Sequence, residues 1–170
     1  LFSDLTGSTA LYERVGDAKA FAIVEEHFRV AEVQIGKHGG GIVKTMGDAV
    51  MASFATLPDA VAAGIAMVRA HDARFGPMGL GLKIGVYGGP CLAVRANDRL
   101  DYLGTTVNVS ARLQAQAGSS EVVIAESALT ETGVREAVGA HSTRRFGAKL
   151  KGIAEEQKLL AIEVPPPARA

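Results

Sequence analysis

Two aspartates stand where the chain changes direction. Asp4 closes the strand-like run Leu1-Phe2-Ser3-Asp4, just before Thr6-Gly7-Ser8-Thr9, a turn with N-cap chemistry that opens a helix. Asp48 belongs to the Gly47-Asp48 pair between two apolar runs, a two-residue hairpin signal. If the two strands are neighbours in one sheet, the carboxylates converge. Two carboxylates with few other ligands suit Mg²⁺, which keeps waters and takes its remaining oxygens from phosphate. The turn at residues 6–9 adds main-chain N–H groups and a helix N-terminus facing anions. Cation plus phosphate cradle points toward a nucleoside triphosphate. Taken singly, each carboxylate has an ordinary reading: Asp4 as a helix cap, Asp48 as a turn residue. Asn108 and Arg112, four apart, share one helix face. Singly, they read as a helix-face hydrogen bond and a surface salt bridge.

The elements that must position these groups follow from periodicity. Residues 10–37 read as a long amphipathic helix, broken near Gly16-Asp17, with Leu11, Val15, Phe21, Val24, Phe28, Ala31 and Ile35 near a helical period. Residues 42–46 and 49–54 read as the two hairpin strands. Pro58 opens a helix to about Phe75. Residues 80–87 read as a strand, with residues 91–95 as its hairpin partner across Gly88-Gly89-Pro90. Asn97-Asp98-Arg99 reads as a turn and residues 105–117 as a third helix. A strand at 121–125, a short helix at 127–132 and a strand pair at 144–150 and 156–163 complete the chain. The order β-α-β-β-α-β implies an α+β, ferredoxin-like core with additional C-terminal α/β elements. Residues 1–164 are expected to form one domain, with 165–170, including Pro165-Pro166-Pro167, a linker or tail.

Composition narrows the function classes. The 170 residues carry 18 Lys and Arg against 18 Asp and Glu, so no global field draws in nucleic acid, and no nucleic-acid partner is expected. The single cysteine, Cys91, has no disulfide partner, which fits a reducing compartment and a cytoplasmic location. Residues 49–68 are apolar-rich, but Pro58 and Asp59 interrupt the roughly 20 apolar residues that a membrane span needs. The opening on Leu1-Phe2-Ser3-Asp4 reads as the start of a piece cut from a longer protein, truncated at its N-terminal edge. Residues 39–45 lack the glycine before Lys44 that a P-loop requires, and residues 79–85 miss the dinucleotide-binding spacing. The Asn108-Val109-Ser110 sequon falls mid-helix. His27, His38, His71 and His141 are too scattered for a zinc motif, and His27 reads as helix surface.

Three motifs taken together resemble a known family. Phe2-Ser3-Asp4-Leu5-Thr6-Gly7-Ser8-Thr9 resembles the first metal motif of the class III adenylyl/guanylyl cyclases. Residues 44–54, Lys-Thr-Met-Gly-Asp-Ala-Val-Met-Ala-Ser-Phe, resemble the family's second metal hairpin, and residues 101–113, Asp-Tyr-Leu-Gly-Thr-Thr-Val-Asn-Val-Ser-Ala-Arg-Leu, its third motif. The likeness runs in order over essentially the whole chain. Leu-Thr-Gly-Ser-Thr departs from the Ile-x-Gly-Phe-Thr of the animal enzymes and looks like a bacterial subgroup. Residues 85–90 match Gly-Ile-His-x-Gly loosely, and neither change removes a reacting group.

The resemblance implies a homodimeric catalytic domain that converts ATP to 3′,5′-cyclic AMP and pyrophosphate, with active sites shared between subunits. It implies two divalent cations, Mg²⁺ or Mn²⁺, held by Asp4, Asp48 and the carbonyl of Leu5. Thr6, Gly7, Ser8 and Thr9 would cradle phosphate. Lys44 and Asp101, from the other subunit, would read the base. Lysine donates to a ring nitrogen and aspartate accepts from an exocyclic amine, a pair suited to adenine; guanine's carbonyl would leave Asp101 facing an acceptor. Asn108 would orient the ribose and Arg112 would stabilise charge on the transferring phosphoryl group. Lys151 would contact the terminal phosphates, with Lys149 close enough to compete. A regulatory domain is expected upstream in the parent chain. Other readings are a guanylyl cyclase, a non-catalytic nucleotide-binding regulatory domain and a ferredoxin-like interaction module. A diguanylate cyclase relative lacks support, because Gly47-Asp48 is followed by Ala49-Val50 rather than by its Glu-Phe hairpin.

Overall fold

The computed structural model describes residues 1–96 and 98–165. The first part of the chain runs β1 (Phe2–Thr6), α1 (Ser8–Val15), α2 (Asp17–Lys37), β2 (Gly41–Met46), β3 (Ala49–Ser53), α3 (Leu57–Phe75) and β4 (Gly81–Gly85). The second runs β5 (Leu92–Ala96), β6 (Arg99–Leu103), α4 (Thr105–Gln116), β7 (Glu121–Ala125), α5 (Thr132–Val138), β8 (Thr143–Ala148) and β9 (Gln157–Glu163). Among the described residues seven strands form one sheet in the order β2-β3-β1-β4-β7-β9-β8, with only the β4–β7 pairing parallel. The first four strands give the ferredoxin-like arrangement that the element order implied. Among the described residues no helix is long and apolar enough to cross a membrane.

Strand alternation divides the core between the two sheet faces. On one face Leu5, Val50, Ala52, Leu82, Ile84 and Val122 meet α2 and α3 through Val24, Ala31, Ile35, Val61, Ile65 and Val68. On the other, Val109, Leu113 and Ala117 of α4 pack on Val123, Leu159 and Ala161. Helix α4 approaches β4 closely at Gly85, where a Cβ would collide with the main chain of Ser110 and Gln114. Ser110 Oγ also donates to Gly85 O at 3.1 Å. Helix α4 lies over β1, β4 and β7, and among the described residues no helix packs on the outer part of this face, β2 and β3.

Two expectations are corrected, and one element is added. Residues 92–96 pair with residues 99–103 in a separate two-stranded sheet, not with β4. Both edges of β4 are already taken, by β1 and β7, so the chain after Gly88-Gly89-Pro90 leaves the main sheet. The short helix expected at 127–132 is present as a 3₁₀ helix at Glu126–Thr130, and a further helix, α5, follows it. Helix α5 escapes a periodicity reading because it has seven residues, two buried anchors (Val134 and Val138) and an internal glycine. His27, expected on the helix surface, is buried. Of the turn at 97–99, Asn97 lies outside the described residues, Asp98 takes a left-handed conformation (φ 58°) and Arg99 opens β6. Of the tail, residues 166–170 lie outside the described residues.

Candidate active site

Asp4 projects from β1 on the α4 side of the sheet, because Ser3 and Leu5 on either side of it are buried. Pairing of β1 with β3 ends at Ser3↔Val50, while pairing with β4 continues to Thr6↔Gly81. The β2–β3 turn carrying Asp48 therefore sits beside β1 just where the ladder stops. The two carboxyl groups come within hydrogen-bonding reach. Burial is the main cause that raises the Asp4 pKa above the ordinary carboxylate value. The negative charge of Asp48 adds to it, and Lys83, the cross-strand partner of Asp4, works against it. Two oxygen-donor carboxyls pressed together in this way favour a divalent cation between them. Among the described residues no third His, Cys, Asp or Glu joins them, so the remaining ligands would be water, main chain or substrate.

The turn after β1 is built on Gly7, which takes φ 86° at the N-cap of α1. A Cβ there would be strained and would come within 2.8 Å of Gly79 O. The Gly7 carbonyl accepts from Leu11 N–H at 3.0 Å, starting the helix, and the first turn of α1 carries no acidic residue. Thr6 Oγ1 lies 3.3 Å from Ser119 Oγ, so the Thr6 hydroxyl is engaged within the protein. Ser8 is half-buried, and Gly7 and Thr9 are exposed.

Lys44 reaches this face through a β-bulge. Ile42 pairs with Ala52 and Lys44 with Met51, so Val43 is the extra residue. Strict alternation would put Lys44 on the core side with Ile42. The bulge instead gives it the face of Met51, and through Phe2↔Met51 the face of Asp4. There Lys44 Nζ donates to Asp101 Oδ2 at 2.6 Å, and Tyr102 N–H donates to Asp101 Oδ1 at 2.8 Å. The Lys44 bond is the larger cause holding the Asp101 carboxyl below its usual pKa. Asp101 lies on β6, so the small sheet is what delivers it to Lys44.

On α4, Asn108 is exposed and Arg112, one turn on, is half-buried. A Cβ on Gly152 would lie 3.4 Å from Arg112 Nη2, so the turn after β8 backs onto the guanidinium. Leu150, 3% exposed, anchors that turn, and Ile153 N–H donates to the Leu150 carbonyl at 2.9 Å. Lys149 and Lys151 are both exposed on it. The single chain thus presents the acidic pair of Asp4 and Asp48, the Lys44–Asp101 pair, and Arg112 against the turn that carries Lys151.

The adenylate and guanylate cyclase catalytic domain model matches residues 1–161. The chain belongs to that family. An adenylate cyclase of Streptomyces coelicolor is 30% identical over 138 residues, covering 79% of this chain and 33% of that protein. One of Neurospora crassa is 29% identical over 154 residues, covering 77% of this chain and 7% of that protein. The chain therefore spans a third or less of these relatives. The adenylyl cyclase CyaB from P. aeruginosa has the same fold, with a TM-score of 0.77 at 22% identity over 99% of this chain and 94% of that one. So does the guanylate cyclase domain of RhGC from Catenaria anguillulae, solved with GTP, with a TM-score of 0.79 at 18% identity over 96% and 93%. Family membership bears out the resemblance carried by the three motifs.

The sequence reading misses one residue of this region and puts one core histidine on the surface. Lys83 faces Asp4 across the β1–β4 ladder, and its signal was period two: Gly81, Lys83 and Gly85 alternate with buried Leu82 and Ile84. His27 carries a helical signal, three residues after Val24 and four before Ala31, both in the core.

Proposed function

We propose that the chain is an adenylyl cyclase catalytic domain that forms 3′,5′-cyclic AMP and pyrophosphate from ATP. The observation that carries this is the meeting of Asp4 with Asp48 at the end of the β1–β3 ladder, with the Asp4 carboxyl held above its usual pKa. All-oxygen donors of this kind fit Mg²⁺ or Mn²⁺, and Asp4, Asp48 and the Leu5 carbonyl would hold two such ions. When bound, they supply positive charge where negative charge develops on the attacking and leaving oxygens. Thr6, Gly7, Ser8 and Thr9 receive phosphate oxygens through main-chain N–H groups at the start of α1. Asn108 orients the ribose so that its 3′-oxygen lies in line with the α-phosphorus. That oxygen gives its proton to solvent and forms the new bond to the α-phosphorus, the bond to the bridging oxygen breaks, and pyrophosphate leaves. Arg112 stabilises the charge on the transferring group, and Lys151 the terminal phosphates.

Base choice falls to Lys44 and Asp101. Their 2.6 Å ion pair lets adenine enter by exchange, with the ring nitrogen accepting from Lys44 and the amine donating to Asp101. Active sites form between two copies, each giving its metal carboxylates to one site and its base-reading pair, Asn108 and Arg112 to the other. The parent protein carries a regulatory domain upstream, and the catalytic domain works in the cytoplasm.

The test is to supply the purified chain with ATP or GTP and either Mg²⁺ or Mn²⁺, scoring cyclic product and pyrophosphate. Cyclic AMP with matching pyrophosphate is expected. Cyclic GMP in excess would make it a guanylyl cyclase, and nucleotide binding without product would make it a regulatory domain.

A further inference from the structure

Asp101 reaches Lys44 on a sheet of only two strands, β5 and β6, a unit that is marginal by itself. Leu92, Leu100 and Leu103 stay exposed on it, so these apolar side chains do not anchor it to the body of the chain. A cavity of about 490 Å³ opens at its root, lined by Phe2 and Met51 of the main sheet and by Cys91, Tyr102 and Thr106. The 2.6 Å bond between Lys44 and Asp101 bridges the two sheets, but adenine entering by exchange opens that bond. Another contact must then hold the strand that carries Asp101.

Thr106 supplies one. Its Oγ1 donates to the Pro90 carbonyl at 2.6 Å, from the first turn of α4 to the residue before Cys91. The loop passes as near as bare main chain permits: a Cβ on Gly89 would lie 2.9 Å from the same Oγ1. The bond closes a ring. From Pro90 the chain enters β5, Leu92 pairs with Leu103 on β6, and Gly104 at φ 131° turns the chain into α4, where Thr106 returns to Pro90. Asp101 lies two residues before Leu103 on that ladder, and Asn108 two residues after Thr106. One hydroxyl thereby ties the strand of the base-reading carboxylate to the helix that carries Asn108 and Arg112. The helix itself does not call for that hydroxyl, since valine and threonine have nearly the same helix propensity.

We propose that Thr106 is a positioning residue for base selection: its hydroxyl clamps the Pro90 carbonyl, holds the β5–β6 sheet at its root, and keeps Asp101 in place for the adenine amine once Lys44 has turned to the ring nitrogen. This rests on the reading of Lys44 and Asp101 as the pair that reads the base. A displacement of about 1 Å in a binding group can cost about 10²-fold in rate.

Two variants separate the hydrogen bond from the packing. Thr106→Val keeps the branched shape and removes the donor, whereas Thr106→Ser keeps the donor. Pro90 is exposed, so water replaces the lost donor and Tm should change little. The readouts are kcat/KM for ATP and for GTP, with thermal denaturation alongside. Thr106→Val is expected to lower kcat/KM for ATP by about tenfold and that for GTP by less than about threefold, and Thr106→Ser to stay within about threefold of wild type for both. The effect runs through Asp101: in an Asp101→Ala background Thr106→Val should cost less than about twofold for ATP. Should Thr106→Val fail to fold, Thr106→Ala, which also lacks the hydroxyl, carries the same expectations. Unchanged ATP use without the hydroxyl, an equal fall for both nucleotides, an equal fall in Thr106→Ser, or the full cost persisting in the Asp101→Ala background overturns the positioning role while leaving the base-reading pair intact. Asp101→Ala that leaves ATP use unchanged, or wild-type protein that forms no cyclic product, overturns the underlying reading and this role together.

Discussion

His71 should make the fold acid-sensitive, and replacing it should remove a calculable part of that sensitivity. The ring is fully buried on α3, between His27 and Phe75, and its Nδ1 lies 3.8 Å from Asp72 Oδ1, too far for a hydrogen bond. Burial, and secondarily His27, push its pKa from 6.5 down to about 3. The unfolded chain therefore takes up a proton as pH falls through 6.5, while the folded chain refuses it until about 3. Stability is whole above 6.5 and is lost as pH drops through that window. At pH 5 the loss from this one ring is about 2 kcal/mol, and it is set by the unfolded value, so the depth of the folded-state shift hardly matters. His71→Phe removes the group from both states. Urea denaturation at pH 8 and pH 5 would give wild type a drop in unfolding free energy larger than that of His71→Phe by about 2 kcal/mol. Packing changes and the carboxylates common to both proteins, Asp72 included, cancel in this double difference. Parallel pH dependence in the two proteins would refute the claim that His71 is held neutral by burial.

Asp4→Asn or Asp48→Asn, which keeps shape and removes charge, should lower cyclase turnover by at least about 10²-fold, and near wild-type turnover in either would refute their role at the cation site. Changing Lys44 to Glu and Asp101 to Cys should weaken ATP use by several kcal/mol of transition-state binding, read as kcat/KM for ATP against GTP; unaffected ATP cyclisation would separate this pair from the base. Gly7→Ala should lower Tm and raise KM for ATP together, because the φ of 86° and the Gly79 carbonyl both resist a Cβ; an unchanged Tm would show that the turn is not constrained.

Local chemistry made most of the sheet readable. Gly47-Asp48 between apolar runs gave the hairpin, Gly16 the helix break, and Pro58 the start of α3, because each feature is set by neighbours in sequence. Long-range competition was not readable. The partner of residues 92–96 depended on β1 and β7 already holding both edges of β4. The site divides in the same way. Asp4, Asp48, Asn108 and Arg112 stood out by residue type and position, and Lys44 and Asp101 through the resemblance to the cyclase motifs. The device that aims Lys44, the bulge at Val43, has no sequence signature, and simple alternation points the lysine into the core. Histidine is ambiguous in composition alone, which hid His27 although its spacing from Val24 and Ala31 placed it on the buried face.

The most direct test of a shared, cation-dependent cyclase site is to mix two inactive proteins and measure cyclic AMP formation from ATP. Asp4→Ala removes a cation ligand, and Arg112→Ala removes the phosphoryl clamp. In a mixed dimer one site carries both defects and the other carries none. Equal mixing makes about half the dimers mixed, each with one good site of two, so about a quarter of wild-type activity should return. Subunit exchange is verified with a tag, at concentrations above the dimer dissociation constant. Restored activity near that fraction is the predicted result; verified exchange with no restored activity would contradict the account.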